Sequence, residues 1–430
     1  MSVRVPGVRP YYDTGEVLDA LESVLAGDFR RGDEARAFDR RFADRFGAPD
    51  AATLPTARVA LWYVLRALDL PPGSDVLMTP ITIADMVNSI RCAGHRPVMV
   101  EMDRATLSFD TAALEAAVTP RTRAVLLTYL YGLVPANLDD VLAVARRHRL
   151  AVIEDVSQAL GATIRGRPLG TLGVAGIHSL SSFKVCSSLF GGVVFAERSL
   201  VDRVRELSAF ELARPARAPF LVVIAKVLGH GALAGDRLYP LVTFRLVRAL
   251  TAASPRLLYR LQTGNLAEVL GRDTTRAFDR TPPEYLFWYA DFQARLASAS
   301  LGRMDAVNDA LRRQAALLAS APGVAGRNPA THPGGESVWW RFPVRVGDRA
   351  RVARRLSAGG VESSMNALPV CSDLPAFREL VPHPLRAARE IHDHHLLVPV
   401  HAGFDAARVE VVRDALANAL AGDEPWSTAG

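Results

Sequence analysis

Two charged residues near the middle of the chain stand in settings that suit chemistry. Lys184 lies in SLSSFKVCSS, a run of small and hydroxyl residues with no other charge, just ahead of a Gly191-Gly192 turn. An amine in such surroundings is partly desolvated, which lowers its pKa and makes the neutral nucleophile more available. Lys184 is therefore a candidate for holding a carbonyl as an imine. Asp155 closes the segment AVIED, whose apolar part, 151–153, is too short for a helix and predicts a buried parallel strand. In open α/β sheets ligands sit at the C-terminal ends of such strands. A lysine of this kind and a strand-end carboxylate are what pyridoxal 5′-phosphate needs: an amine for its aldehyde, and an acid opposite the pyridine nitrogen so that the ring acts as an electron sink. Each residue also has an ordinary reading, because a strand-end aspartate often caps a helix and a lysine before a turn is usually solvated. Spacing alone leaves both readings open.

The elements that must position these residues are legible around them. Apolar runs at 76–78, 97–101, 124–127, 151–153 and 193–196 alternate with segments of helical period. Strand, helix, strand repeated through 75–196 predicts a mostly parallel sheet covered by helices. Ahead of it, 14–47 carries two amphipathic helices, EVLDALESVLAGD and DEARAFDRRFADRFGA, with charges on one face. Behind it, WWRFPVRV predicts an edge strand, and RARVARRLSAGGVESS, HHLLVPVHAGF and AARVEVVRDALANAL predict helix, strand and helix of a small α/β unit.

The segment EDVSQALGATIRGRPLGTLGVAGIHSLSSFK resembles the signature of the DegT/DnrJ/EryC1/StrS family, the PLP-dependent sugar aminotransferases of fold type I. The family pattern runs E-D-x-x-Q/H-A-x-G, then a G-x-x-x-G spacing, then S-F-x-x-x-K and G-G. Glu154, Asp155, Gln158, Ala159 and Gly161 match the first part, Gly166 and Gly170 the second, and Ser179, Lys184, Gly191 and Gly192 the last, with Leu180 in place of the phenylalanine. The resemblance implies that Lys184 binds the cofactor as an imine and Asp155 pairs its pyridine nitrogen. Gln158 packs or hydrogen-bonds near the ring oxygen, and Ser179 binds the phosphate. TLPTARVAL is similar to the family's S-G-T-A-A-L, a helix N-terminus that holds the cofactor phosphate. That similarity adds Thr56 as a hydroxyl donor, Ala57 as a close backbone approach, and Arg58 as either a charge for the phosphate or a solvent-facing side chain. Thr82 joins the cofactor-binding residues at the opening of the next helix, where Ile83 replaces the usual aromatic ring and makes the stacking aliphatic. Tyr129 stands where many members have histidine.

Further on, EYLFWYADFQARLASASLGRMD matches the family at Gln293 and Ala294, but Leu286 and Trp288 replace an asparagine and an arginine. In the family this loop reaches the neighbouring subunit's site and the asparagine helps bind the phosphate, so that contact is missing here. The stretches 360–363 and 396–401 resemble the family's G-V-E-S/T and L-P-V-H. His401 is expected to have a structural or substrate-contacting role, because the lysine is the expected proton carrier.

The chain has 430 residues, 49% of them hydrophobic, enough for a large core, and a net charge of +6. No helix-turn-helix, finger or RNA-binding motif accompanies that charge, so nucleic acid is not an expected partner. Cys92, Cys186 and Cys371 lie far apart without CxxC spacing, which implies neither disulfides nor a metal site. The N-terminus has no apolar stretch of signal-peptide length. A reducing cytoplasm is the expected compartment. The segment 214–262 is rich in arginine and otherwise apolar, with Asp236 its single acid. Its two readings are a helical insertion packed on the protein, and a peripheral contact with an anionic membrane.

These features together predict an α/β protein of the PLP-dependent transferase fold type I. Residues 1–284 form a large domain with a mostly parallel seven-stranded sheet and a basic apolar insertion at about 205–284, and 285–430 form a small C-terminal α/β domain. The expected activity is transfer of an amino group from glutamate or glutamine to a keto sugar, nucleotide-linked, or a cyclitol, by a homodimer in polysaccharide or natural-product biosynthesis. Other PLP chemistry on the same scaffold, a membrane-associated enzyme acting on a lipid-linked sugar, and a non-catalytic relative are the alternatives.

Overall fold

The computed structural model describes residues 3–235, 239–247, 266–270, 272–273, 275–363, 368–381 and 384–427. Much of the segment 214–262 therefore lies outside the described residues. The chain opens with α1 (Thr14–Ala26) and α2 (Asp33–Phe46). Asp13 and Glu16 form a capping box at the start of α1, and Gly27 ends it with φ +71°, a conformation that glycine adopts without a Cβ penalty. Gly32 has no side chain to cap α2. Asp291, far along the chain, does so instead, accepting from the amides of Gly32 at 2.9 Å and Ala35 at 3.1 Å.

The sheet follows as β1 (Asp50–Leu54), α3 (Ala57–Ala67), β2 (Asp75–Met78), α4 (Ala84–Cys92), β3 (Arg96–Met99), α5 (Thr111–Ala116), β4 (Thr122–Thr128), α6 (Leu138–Arg147) and β5 (Ala151–Asp155). A short hairpin of β6 (Thr163–Ile164) and β7 (Arg167–Pro168) precedes β8 (Ala175–Ser179) and β9 (Gly192–Ala196). The strand order is β1-β9-β8-β5-β4-β2-β3. β9 runs antiparallel to both its neighbours and every other pairing is parallel. The seven-stranded, mostly parallel sheet is thus as expected. Its central strands are apolar on both faces because helices cover both. On one face Phe42 and Phe46 of α2 meet Phe195 of β9, with ring centroids 5.3 and 6.1 Å apart.

After α7 (Arg198–Glu211) comes α8 (Arg217–Leu233), the helix predicted in the basic apolar segment. Phe220, Val223, Ile224 and Val227 turn inward, and Phe220 packs against Phe29, Phe190 and Phe292. Helix α9 (Asp291–Ala319) packs on α1 and α2 at one end of the chain's order and on the last helix at the other. The C-terminal elements are β10 (Gly335–Glu336), which adds to the hairpin, then β11 (Phe342–Arg345), α10 (Arg349–Ala358), α11 (Arg386–His394), β12 (His395–Val398) and α12 (Ala406–Leu420). β11 and β12 pair antiparallel. Asp423, past α12, ties this region together: its carboxylate pairs with Arg327 and Arg351, each at 2.8 Å, and accepts the amides of Gly347 and Asp348.

Candidate active site

Asp155 and Lys184 come together at the C-terminal end of β5, in the middle of the sheet. Asp155 is 7% exposed. One of its oxygens accepts the Ser157 amide at 2.9 Å. Burial raises its pKa, while the Ser157 hydrogen bonds and the nearby Lys184 amine pull it back. Lys184 is half-buried, and desolvation lowers its pKa to about 8 against the attraction of Asp155. That leaves about a tenth of the amine neutral at pH 7, far more than an ordinary lysine has, and the neutral amine is what forms an imine. Its Nζ lies 4.2 Å from the centre of the Trp340 ring.

The hydroxyl-rich sequence around Lys184 has a structural cause. Residues 180–191 form a loop that no sheet partner satisfies, and side chains take over its backbone groups. Ser182 donates to the Leu189 carbonyl, Ser300 to that of Ser187, and Gln293 to that of Phe190, while Tyr12 Oη accepts the Leu189 amide. The His178 ring, fully buried, lies within 3.3 Å of the carbonyls of Val156 and Cys186 and links β8 to the loop. Burial lowers its pKa to about 4, so it stands neutral.

Glu154 is not a site residue. Its buried carboxylate accepts from Tyr129 Oη at 2.7 Å and from the amides of Gly170, Leu172 and Gly173. It fixes the loop leading into β8, and the tyrosine at position 129 supplies one of the donors. Gln158 accepts the Tyr131 amide through Oε1 at 2.8 Å.

The N-terminus of α3 converges on the same place. Thr56 is its N-cap and accepts the Val59 amide through Oγ1 at 3.3 Å. A Cβ on Gly192 would lie 2.4 Å from the Ala57 nitrogen, so glycine is what lets β9 lie against this helix end. Ser179 pairs with Gly192 across the strands, and its hydroxyl donates to the Ser181 hydroxyl at 3.3 Å. Arg58 does not face solvent. It is buried, paired with Asp85, and its guanidinium lies 5.3 Å over the Tyr285 ring. Thr82 is buried but stands ahead of α4, whose N-cap is Ile83; its carbonyl accepts the Cys371 thiol at 3.1 Å. The loss of the loop asparagine is real, since Leu286 carries no polar group and Trp288 donates to the Phe29 carbonyl.

Sequence reasoning treated WWRFPVRV only as a strand and missed its contribution. The turn at Tyr131, φ +59°, and Gly132, φ +85°, accepts the amides of Val338 and Arg341. A Cβ on Gly132 would lie 2.6 Å from the Trp340 nitrogen. This close fit delivers Trp340 and Arg341 to the lysine, and Trp340 Nε1 donates to the Phe183 carbonyl. An arginine within an otherwise apolar aromatic run was the available signal. Tyr11 and His401, stacked with centroids 4.3 Å apart, complete this side.

The family model described as the DegT/DnrJ/EryC1/StrS aminotransferase family matches residues 12–230 and 272–417. The chain belongs to that family. Its aminotransferases depend on pyridoxal 5′-phosphate, and this member is such an enzyme. The buried acid, the lysine of lowered pKa and the glycine-opened helix end fit that cofactor. The gap in the match, 231–271, overlaps the later part of the arginine-rich segment 214–262. GDP-perosamine synthase of Caulobacter vibrioides is 28% identical over 393 residues, covering 89% of each chain. UDP-N-acetyl-3-dehydro-alpha-D-glucosamine 3-aminotransferase of Acidithiobacillus ferrooxidans is 33% identical over 195 residues, 45% of this chain and 51% of that protein. Among solved structures, the sugar aminotransferase CalS13 from Micromonospora echinospora superposes with a TM-score of 0.72 at 22% identity, covering 96% of this chain and 99% of its own. DesV of S. venezuelae gives 0.71 at 24%, covering 97% and 99%. These likenesses establish the fold of a PLP-dependent transferase of type I.

Proposed function

We propose that this aminotransferase moves an amino group from glutamate or glutamine to the keto carbon of a nucleotide-linked sugar, or of a cyclitol, in polysaccharide or natural-product biosynthesis. The observation that carries the reading is the Lys184 amine of lowered pKa beside the buried Asp155 carboxylate at the sheet's C-terminal edge. The substrates named for the two curated relatives support the sugar assignment.

Bound at Lys184, the cofactor supplies the electron sink and carries nitrogen between the two half-reactions. This chain's residues do the rest. The Lys184 amine would take the proton from the donor's Cα and deliver it to the cofactor carbon that keeps the nitrogen. Asp155 keeps the opposing ring nitrogen protonated, and the buried setting strengthens that pairing. Ser179, Thr56 and the amides at the start of α3 hold the phosphate. Trp340 screens the lysine from water. Arg58, already matched by Asp85, shapes the helix end.

The reading includes a large domain at 1–284, a small one at 285–430 and a homodimer in the cytoplasm. Pairing of β11 with β12 beside α10 and α12 supports a separate C-terminal unit, and family membership supports the dimer. No helix among the described residues is long and apolar enough to cross a membrane. The inward apolar side of α8 supports packing on the protein for residues 217–233.

The test is a single-turnover experiment on the PLP-loaded protein with 15N-labelled L-glutamate or L-glutamine, followed by UDP- and GDP-linked 3-keto and 4-keto sugars. Release of the 2-oxo acid and appearance of label in a sugar is expected. Formation of the 2-oxo acid with no labelled sugar at either position would remove the acceptor assignment, and no 2-oxo acid from either donor would remove the donor.

A further inference from the structure

The positive charge of the chain is concentrated in one stretch. Residues 214–262 carry seven arginines and Lys226 against Asp236, a surplus of seven where the whole chain has six, so the rest of the chain carries a net −1. The same region is apolar on its outside. Of the eight large apolar side chains that stand exposed among the described residues, six lie on α1 or within 210–246. They include Phe210 at 94% exposed, Leu25 at 60%, Leu233 at 49% and Val222 at 43%.

Helix α8 is the centre of this surface. Its inner side is the buried row from Phe220 to Val227, and its outer side shows Ala218, Val222, Ala225 and Leu233 where a surface helix ordinarily shows polar residues. The helix contains no acid. A helix that is apolar all round needs a second apolar surrounding besides the core it packs on. Its 17 residues fall short of the roughly 20 that would span a bilayer. α1 packs beside α8. Where they meet, Arg214 donates to the Gly27 carbonyl at 2.8 Å, and a Cβ on Gly27 would lie 2.1 Å from Arg217 Nη2. Leu25 therefore stands next to two arginines at the head of α8. Arg217 and Arg245 are exposed, and among the described residues no carboxylate pairs with either.

We propose that the outer side of α8, with Leu25 of α1 and the arginines at the head of the helix, docks on the surface of an anionic lipid bilayer. Such a surface answers both features at once: the apolar side chains enter the boundary between headgroups and acyl chains, and the arginines meet lipid phosphates. A second copy of this chain suits the face less. A two-fold contact sets a patch against itself, which here brings a surplus of seven charges against another seven. Nucleic acid would answer the charge but leave Val222 and Leu233 without an apolar partner. Packing on the protein and contact with a membrane thus belong to opposite sides of one helix. His230 near the end of α8 meets Phe183 edge to face, with ring centroids 5.4 Å apart, and Phe183 precedes Lys184. The docking helix rests against the loop that carries the reactive lysine, so docking holds that loop near the bilayer.

The test is co-sedimentation of the full-length protein with vesicles of phosphatidylcholine alone and of phosphatidylcholine with added phosphatidylglycerol. Each is run at about 0.1 M and about 1 M salt, between which the screening length falls from about 10 to about 3 Å. The wild type should bind the anionic vesicles at low salt, release them at high salt and ignore phosphatidylcholine. Two double variants, Val222→Asp with Leu233→Asp and Arg217→Glu with Arg245→Glu, should each weaken partitioning at least about tenfold, with circular dichroism and melting unchanged. Should one pair of substitutions unfold the protein, the other pair and the salt dependence decide. No binding to anionic vesicles, equal binding to both kinds at both salt concentrations, or folded variants that partition like the wild type would overturn the assignment. Sedimentation velocity without lipid tests the other occupant: a smaller assembly in Val222→Asp with Leu233→Asp than in the wild type would put a second copy on this face and overturn it as well.

Discussion

The reactive amine is set by its surroundings more than by its partner. Burial takes Lys184 from the usual lysine range to about 8, against the pull of Asp155. The neutral form therefore grows as pH rises through about 8, and capture of PLP by the unloaded protein should accelerate with a midpoint there and level off above it. Stopped-flow absorbance across pH 6 to about 10.5 reads this directly; a midpoint near the ordinary lysine value would contradict the desolvated setting. Much at this scale was legible from sequence, because a lysine in a chargeless hydroxyl-rich run and an acid closing an apolar strand are local patterns. Arg58 was not legible. Whether an arginine at a helix start meets a phosphate, solvent or an acid depends on what another helix brings to it, and here α4 brings Asp85. Arg341 escaped for the same reason, since only the fold carries β11 to the lysine.

At the level of elements, close approach does the positioning. Gly192 lets β9 lie against the start of α3, and Gly192→Ala would set a methyl 2.4 Å from the Ala57 nitrogen. The variant should fold but push the helix end away from the phosphate position, raising the PLP dissociation constant by about tenfold, a cost near 1.4 kcal/mol. Equilibrium dialysis with PLP measures it, and an unchanged constant would mean that α3 does not hold the phosphate. Capping acts over a longer range. Asp291 begins α9 yet satisfies the first amides of α2, so Asp291→Ala should cost about 1 kcal/mol in urea unfolding. A variant as stable as wild type would show that water replaces the cap at no cost. Sequence periodicity identified α2, but a cap supplied from so far along the chain leaves no local pattern to read.

For the molecule as a whole, strand and helix alternation was enough to foresee the sheet, because parallel strands buried on both faces carry an unambiguous apolar signature. The ties between distant parts were not foreseeable. Asp423, past the last helix, is buried between Arg327 and Arg351. Despite burial, the Gly347 and Asp348 amides and the two arginines hold its pKa below the usual carboxylate range. Asp423→Ala leaves the buried Arg327 unmatched and should cost about 3 kcal/mol at neutral pH. The stabilisation belongs to the ionised form, so it is present above about pH 4 and fades as pH falls through the lowered value. The gap between variant and wild type in denaturant melts should therefore narrow in acid; a gap independent of pH would assign the loss to packing.

The measurement that bears most directly on the central claim is the visible absorption spectrum of the protein with added PLP, for wild type and Lys184→Ala, before and after L-glutamate. The account predicts a band of lysine-bound cofactor in the wild type, absent from Lys184→Ala, that glutamate converts to the aminated cofactor with release of 2-oxoglutarate. The same band in both proteins, or none in either, would contradict the assignment of Lys184 and with it the proposed reaction.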